Sequence, residues 1–379
     1  MRFVAMLSLL VALLRASSVS AGPFDPNDDD PSAWCRLEYL NLWTSHAALP
    51  APLVSTGDAS SLGRLGSPGT QPLFGPGSLP APVFPAIKLT IGGWLYDNLL
   101  GGEFSIFGTT LRATHFGAAS NASGSPLLAI PFADVTSGTA RESSLVVSRP
   151  GVASGRAWAD DAMGLLGFDF DGLASLDEHV FDPDASLAMI GGLRVLGFRE
   201  RFKFSSGTDF LSGPSISHND IFLTNSAFIG LDLGMRGGYR LGRWTIQATG
   251  RTALGVTSSL LDVAAQDSLQ MVTPRLQTVP GEGWFAQPSN IGWYYRQAFS
   301  VVPAAQLRVS YALTNRVHLT IGYEAFYWTR MLRAPNQLDR DINLSQLVGP
   351  RSRPARPAAG ANFSNFWAQG FTAGVQVNF

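Results

Sequence analysis

The sequence has one cysteine, Cys35, in 379 residues. One thiol closes no intramolecular disulfide, so stability has to come from a buried core or a closed sheet. Cys35 sits in PSAWC, not in the small-residue setting of a lipid anchor, and reads as a small buried hydrophobe. Charge is scarce as well: charged residues are 15% of the chain against 45% hydrophobic, with a formal net charge of -1. A near-neutral chain lacks the basic face that nucleic-acid binding requires. Long apolar runs are missing too, and none reaches the roughly 18 residues of a transmembrane helix. The five histidines, His46, His115, His179, His218 and His318, show no metal-ligand spacing, and no cofactor motif is present. With no catalytic motif either, no enzyme is expected. An apolar chain without a long apolar run is what alternating strands produce, half facing lipid and half a lumen. A large soluble β protein gives similar totals.

What is present decides more. Arg2, the apolar run from Phe3 to Leu14 and the small residues up to Ala21 form a signal peptide over 1–21. Residues 22–33, with Asp28, Asp29 and Asp30, read as a flexible acidic lead-in, a solvated charge run more than a cation site. The last stretch, FWAQGFTAGVQVNF, alternates strictly. Phe371, Ala373, Val375, Val377 and Phe379 share one face, and Thr372, Gly374, Gln376 and Asn378 the other. Such a strand closes a transmembrane barrel and leaves no lipid-exposed edge. Nine earlier segments alternate similarly, starting near Trp34, Ala86, Gly102, Trp158, Leu187, Ile221, Trp244, Phe299 and Val317. In the fifth, the phase becomes ambiguous after Val195, where a β-bulge is one explanation.

The connections between segments run long, short, long, moderate, long, short, long, short, long. This is the pattern of an all-β, up-and-down antiparallel transmembrane barrel of about ten strands (range about eight to twelve), over 34–379. Short turns, such as Asp97-Asn98, would be periplasmic. The long spans, including 205–220 and 257–296, would be extracellular. A β-sandwich gives no reason for alternate connections to be long. Aromatic residues cluster at strand ends, namely Trp34, Trp43, Trp94, Tyr96, Tyr239, Trp244, Tyr311, Tyr327, Trp328, Trp367 and Phe379. Girdles at both interfaces place them so, as does plain β propensity.

The stretches AWCRLEYLNLW, PLVSTG with LGSPGTQPLFG, PSNIGWYYRQAFSVVPAAQLRVSYALTNRVHLTIGYEAFYW and FWAQGFTAGVQVNF resemble a bacterial family of putative beta-barrel porins, the seventh in its numbered series. The resemblance implies an outer-membrane barrel and supplies no catalytic residue. Outer-membrane barrels commonly end on such a strand. That likeness suggests an assembly signal, carried by Phe371, Val375, Val377 and Phe379, for the insertion machinery.

The polar phase holds Arg36, Glu38, Lys88, Arg194, Asp232, Arg236, Arg251, Arg308 and Glu324. A basic residue on the lipid face costs roughly 2–4 kcal/mol near mid-bilayer, so these residues belong inside. Asp232 with Arg251, and Arg308 with Glu324, are expected to pair. Phe326 and Trp328, on the same phase, narrow the lumen further. The acids Asp169, Asp171, Asp177, Glu178, Asp182 and Asp184 read as a solvated turn before a hard-cation site. Expected partners are outer-membrane lipids, the insertion machinery, and small polar solutes or ions passing a narrow, charge-lined lumen. A second reading is a filled, non-conducting barrel that displays its loops, since barrels of about eight strands are filled by side chains, and an outer-membrane enzyme is the least favoured reading.

Overall fold

The computed structural model describes residues 33–47, 49–75, 83–95, 99–176, 184–270, 276–280, 283–347, 350–360 and 362–379. The expected signal peptide, the acidic lead-in up to residue 32 with its three aspartates, Tyr96, the Asp97-Asn98 turn, and Asp177, Glu178, His179 and Asp182 lie outside the described residues. No helix among the described residues is long and apolar enough to cross a membrane. Ten strands build the body: β1 (Ala33–Thr44), β2 (Val83–Leu95), β3 (Leu100–Thr109), β4 (Ala153–Ser175), β5 (Ala185–Phe210), β6 (Ser215–Leu241), β7 (Trp244–Gln270), β8 (Gly292–Ala312), β9 (Val317–Leu332) and β10 (Phe363–Asn378). Each pairs antiparallel with its neighbours in the chain. The last pairs back with the first, from Trp34↔Asn378 to Thr44↔Ala368. The pairings therefore run round a ring, which satisfies backbone groups without an exposed edge.

Side-chain period does the sorting. On β6, Ile229, Leu231, Leu233 and Met235 point outward and are exposed, while Phe228, Asp232 and Thr224 point inward and are buried. The expected bulge on β5 is absent, because its register with β4 and β6 is unbroken through Val195. The environment changes instead. Up to about Gly197 the outward residues are apolar (Leu187, Met189, Leu193, Val195), and beyond it they are Arg199, Arg201 and Lys203. Leu196, Phe198, Phe202 and Phe204 now point in. Below the switch the exterior is lipid and above it water, so apolar residues change sides with no change of phase. Residues 187–197 match the roughly 9–11 residues a strand needs to cross a bilayer. Leu193→Arg is accordingly expected to cost about 2–4 kcal/mol in urea unfolding of the micelle-bound barrel, and Arg199→Leu much less. Equal losses would misplace this boundary.

The barrel is lopsided. β4 to β8 run 23, 26, 27, 27 and 21 residues, whereas β1 to β3 run 12, 13 and 10. Two expected long loops are largely strand. Span 205–220 reduces to a turn between Phe210 and Ser215, and span 257–296 begins with β7 extending to Gln270. The expected third strand divides into β3 and a separate strand, Arg112–Ala119, that pairs with the upper part of β4. A register shift does occur on β9, between Trp328 and Met331, with Arg330 at φ 56.

The other long connections are not irregular. Val54–Thr56, Gln71–Phe74, Leu128–Asp134, Arg141–Ser148 and Asp341–Ile342 form a second sheet. It comes from the β1–β2, β3–β4 and β9–β10 connections, the β1–β3 side being the short wall. Leu53, Phe74, Leu128, Ile130 and Phe132 from these connections pack with Phe202, Phe204 and Phe222 of the tall wall, and Phe285 from the β7–β8 connection joins them in one apolar core. The sheet is thus a cap seated over the barrel mouth.

Candidate functional site

The interior is built in layers. At the end with the short turns, Trp34, Leu173 and Ile190 cluster with Trp94. The Trp34 and Trp94 rings lie 6.1 Å apart, and Gly92 has no room for a Cβ because Trp34 occupies that space at 2.4 Å. The Trp34 Nε1 donates to Glu103 Oε2 at 3.2 Å, which ties this floor to the layer above.

That layer is ionic and balanced. Six cations (Arg36, Lys88, Arg194, Arg236, Arg251, Arg308) meet six carboxylates (Glu38, Glu103, Asp169, Asp171, Asp232, Glu324). Several pairs cross the lumen: Lys88 on β2 reaches Glu324 on β9 at 2.8 Å, and Arg236 on β6 reaches Glu103 on β3 at 2.8 Å. Asp169 is the hub, 2.8 Å from Arg194 Nε and 2.5 Å from Arg251 Nη2. Charges desolvated in this way hold only when paired. The cavity left among Lys88, Glu103, Arg251 and Glu324 measures about 50 Å³, room for a few waters.

Above it lies an apolar disc to which every barrel strand contributes. Leu40 comes from β1, Phe84 from β2, Phe107 from β3, Leu165 from β4, Leu196 from β5, Phe228 from β6, Ala253 from β7, Val302 from β8, Trp328 from β9 and Phe366 from β10. Gly167 is required here, since a Cβ would stand 2.1 Å from the Phe107 ring. Trp328 is fully buried, and its Nε1 donates to Thr257 Oγ1 at 2.8 Å.

Over the disc, Arg333 begins the β9–β10 connection. Its Nη2 is 2.6 Å from Glu200 Oε1, and its guanidinium lies between Phe198 and Phe366 at 5.2 and 5.3 Å from the ring centroids. Arg333 Nη1 donates to Ser45 O at 3.4 Å, and the Ala334 amide donates to Glu200 Oε2 at 2.6 Å. One guanidinium therefore joins the tall wall, the end of β1 and the capping segment. Asp161 is buried beside this pair, above the membrane-facing belt, since its outward neighbours are Asp160 and Ala162. Burial, and then the Glu200 carboxylate, push the Asp161 carboxyl well above the ordinary range, against Arg333. The folded state thus holds a proton that the unfolded chain releases near pH 3.9, so this group makes stability fall as pH rises from about 4. Asp161→Asn is expected to raise the urea midpoint at neutral pH, with a gain that vanishes below about pH 4. A gain independent of pH would refute this account.

All nine sequence-selected charges point inward, and six of them (Arg36, Glu38, Lys88, Arg194, Asp232, Arg308) are buried. Arg251 does meet Asp232, at 3.3 Å. Arg308 does not meet Glu324: it turns to Glu38 and Gln247, and Lys88 takes Glu324 from across the lumen. Asp169 and Asp171 are not in a solvated turn, because β4 continues to Ser175 and carries both inward. Their alternation with Phe168 and Phe170 was the available signal. Glu103 was marked likewise by Phe104 and Ile106. Nothing local marks Glu200, Asp161 or Arg333. Trp34, Trp94 and Trp328 face inward and belong to no girdle, while Trp244 and Tyr311 pack tilted against each other on the outside with centroids 4.7 Å apart. Cys35 is half-buried on the outward phase of β1, not in the core. Phe371, Val375 and Phe379 are exposed on the outward face of β10, with Val377 half-buried there. Among the described residues no group of three or more His, Cys, Asp or Glu has the arrangement of a metal site.

A family model described as Putative beta barrel porin-7 matches residues 34–379. No curated protein matches. Among solved structures, the outer membrane protease OmpT from Escherichia coli is similar at 12% identity and a TM-score of 0.44, over 95% of this chain and 100% of that one. A FadL homologue of Pseudomonas aeruginosa follows at 7% identity and a TM-score of 0.23, over 96% of each. The toluene transporter TodX of P. putida is similar at 10% identity and a TM-score of 0.17, over 93% of this chain and 91% of that one. Likenesses of this size carry no argument about activity. The sequence-based exclusion of enzymes is nonetheless withdrawn. An outer-membrane protease stands among the similar structures, and the exclusion rested on a missing linear motif, which a site assembled across barrel strands does not leave. Enzymatic activity is established neither way.

Proposed function

This chain belongs to the Putative beta barrel porin-7 family, an outer-membrane barrel family, and from that premise we propose that it is a barrel whose lumen is shut to passive diffusion in the capped state. Its work is then to anchor and hold the extracellular cap at the surface. The observation that carries this reading is the apolar disc with a side chain from each of the ten strands. A hydrated ion crossing it loses its water against predominantly apolar side chains. The layers on either side, ion pairs below and a packed cap above, support the same reading. The leader over 1–21 serves export, and the outward face of Phe371, Val375, Val377 and Phe379 serves insertion.

A second reading has its own support. The family is one of porins, and the ionic layer below the disc is polar through the lipid-facing height. A barrel that opens by displacing the segment pinned by Arg333 would pass small polar solutes or ions, with the twelve charges screening them. Planar-bilayer recording of the folded wild-type protein separates the two. The closed reading expects no conductance steps at moderate voltage, and steady conductance would sink it.

A further inference from the structure

The outer surface of β5 carries a feature that closure of the lumen does not use. Arg199, Arg201 and Lys203 follow one another on the outward phase, over about 13 Å of strand. They begin two residues above Gly197, where the lipid-facing run ends, so they stand at head-group height. None of the three has a hydrogen bond or ion pair among the described residues. The carboxylate registered against Lys203, Asp160, is engaged by His115. Three like charges in succession repel one another, and among the described residues Asp160 is the one carboxylate registered against them on β4. The floor beside them is shallow: Arg199 is registered with Gly164 and Arg201 with Ala162 on β4. Leu111, exposed by 72%, lies against Gly164.

We propose that this stripe binds the phosphorylated head group of an outer-leaflet glycolipid. Charge complementarity argues for a phosphate, and arginine's fork of donors suits its oxygens. Continuity with the belt argues for a lipid, since Leu193 and Val195 directly below receive the acyl chains of the molecule whose head the cations hold. Leu111 covers the apolar edge of the head-group region. The long connections put this end of the barrel outside, so the leaflet is the outer one.

The test is native mass spectrometry of the full-length mature protein in micelles, titrated with a bis-phosphorylated glucosamine glycolipid and with its dephosphorylated form. The wild type is expected to hold the phosphorylated lipid at least tenfold more tightly. Each cation removed is expected to weaken binding about fivefold, so the Arg199→Ala, Arg201→Ala, Lys203→Ala variant loses about 100-fold. Arg199→Lys with Arg201→Lys retains most of the affinity. The heat-induced gel shift of the folded barrel confirms that the variants fold, as exposed positions should. Unchanged occupancy in the folded triple variant, or equal binding of the dephosphorylated lipid, would overturn the proposal.

Discussion

Arg333→Ala is expected to cost about 3–5 kcal/mol of barrel stability, because it leaves two carboxyl groups in an apolar interior with no cation. Glu200 and Asp161 are both buried, and among the described residues Arg333 is the basic group that meets them. The two ring faces that hold the guanidinium lose their filling as well. Removing the charge problem along with the arginine should restore much of the loss. The pair Arg333→Met with Glu200→Leu is expected to recover more than half, since apolar replacements of a buried pair are often close to neutral. Urea unfolding of the micelle-bound protein, followed by tryptophan fluorescence, reads both variants. Limited proteolysis adds the location: the 333–362 segment should be cut first in Arg333→Ala, because this contact pins its start. A loss below about 1 kcal/mol would mean that the cap is held without this contact.

Trp328→Ala is expected to turn a silent barrel into a conducting one. Trp328 is the largest fully buried side chain among the described residues, and its removal leaves a hole in the disc where every strand contributes. The stability cost should fall at about 3–5 kcal/mol, the usual range for a buried aromatic truncated to alanine. Thr257 keeps Ser300 as a partner at 2.7 Å, so no orphaned hydroxyl adds to it. Tyr327→Ala, one residue away but outward, is the matched control and should stay silent. Widening the gap with Phe366→Ala, registered beside Trp328 on β10, should raise conductance further. If the folded double variant stays silent, the disc is not the barrier and the cap or the ionic layer must be.

These two residues also show how unevenly the sequence revealed the molecule. Alternation alone puts Trp328 on the inner phase, although its position near a strand end also fits a girdle. Its real partners, Phe228 and Thr257, lie on β6 and β7. Arg333 falls in the last long connection, outside every alternating segment. It follows the β9 register shift, and its partner Glu200 is 133 residues away, so no periodicity reaches it. Alternation on β5 is visible in the sequence, but the outward side changes from apolar to basic after Val195, so a change of solvent resembles a bulge.

Period-two alternation by itself marked about ten strand segments and the inward aim of Arg36, Glu38, Lys88, Arg194, Asp232, Arg236, Arg251, Arg308 and Glu324, because the face a residue occupies is a local property of an extended backbone. Which of those charges meet, that ten inward side chains form one apolar layer, and that three connections assemble a cap were decided only by the closed ring. Closure brings strands two, three and four places apart to within side-chain reach across the lumen, and separation along the chain carries no record of that distance.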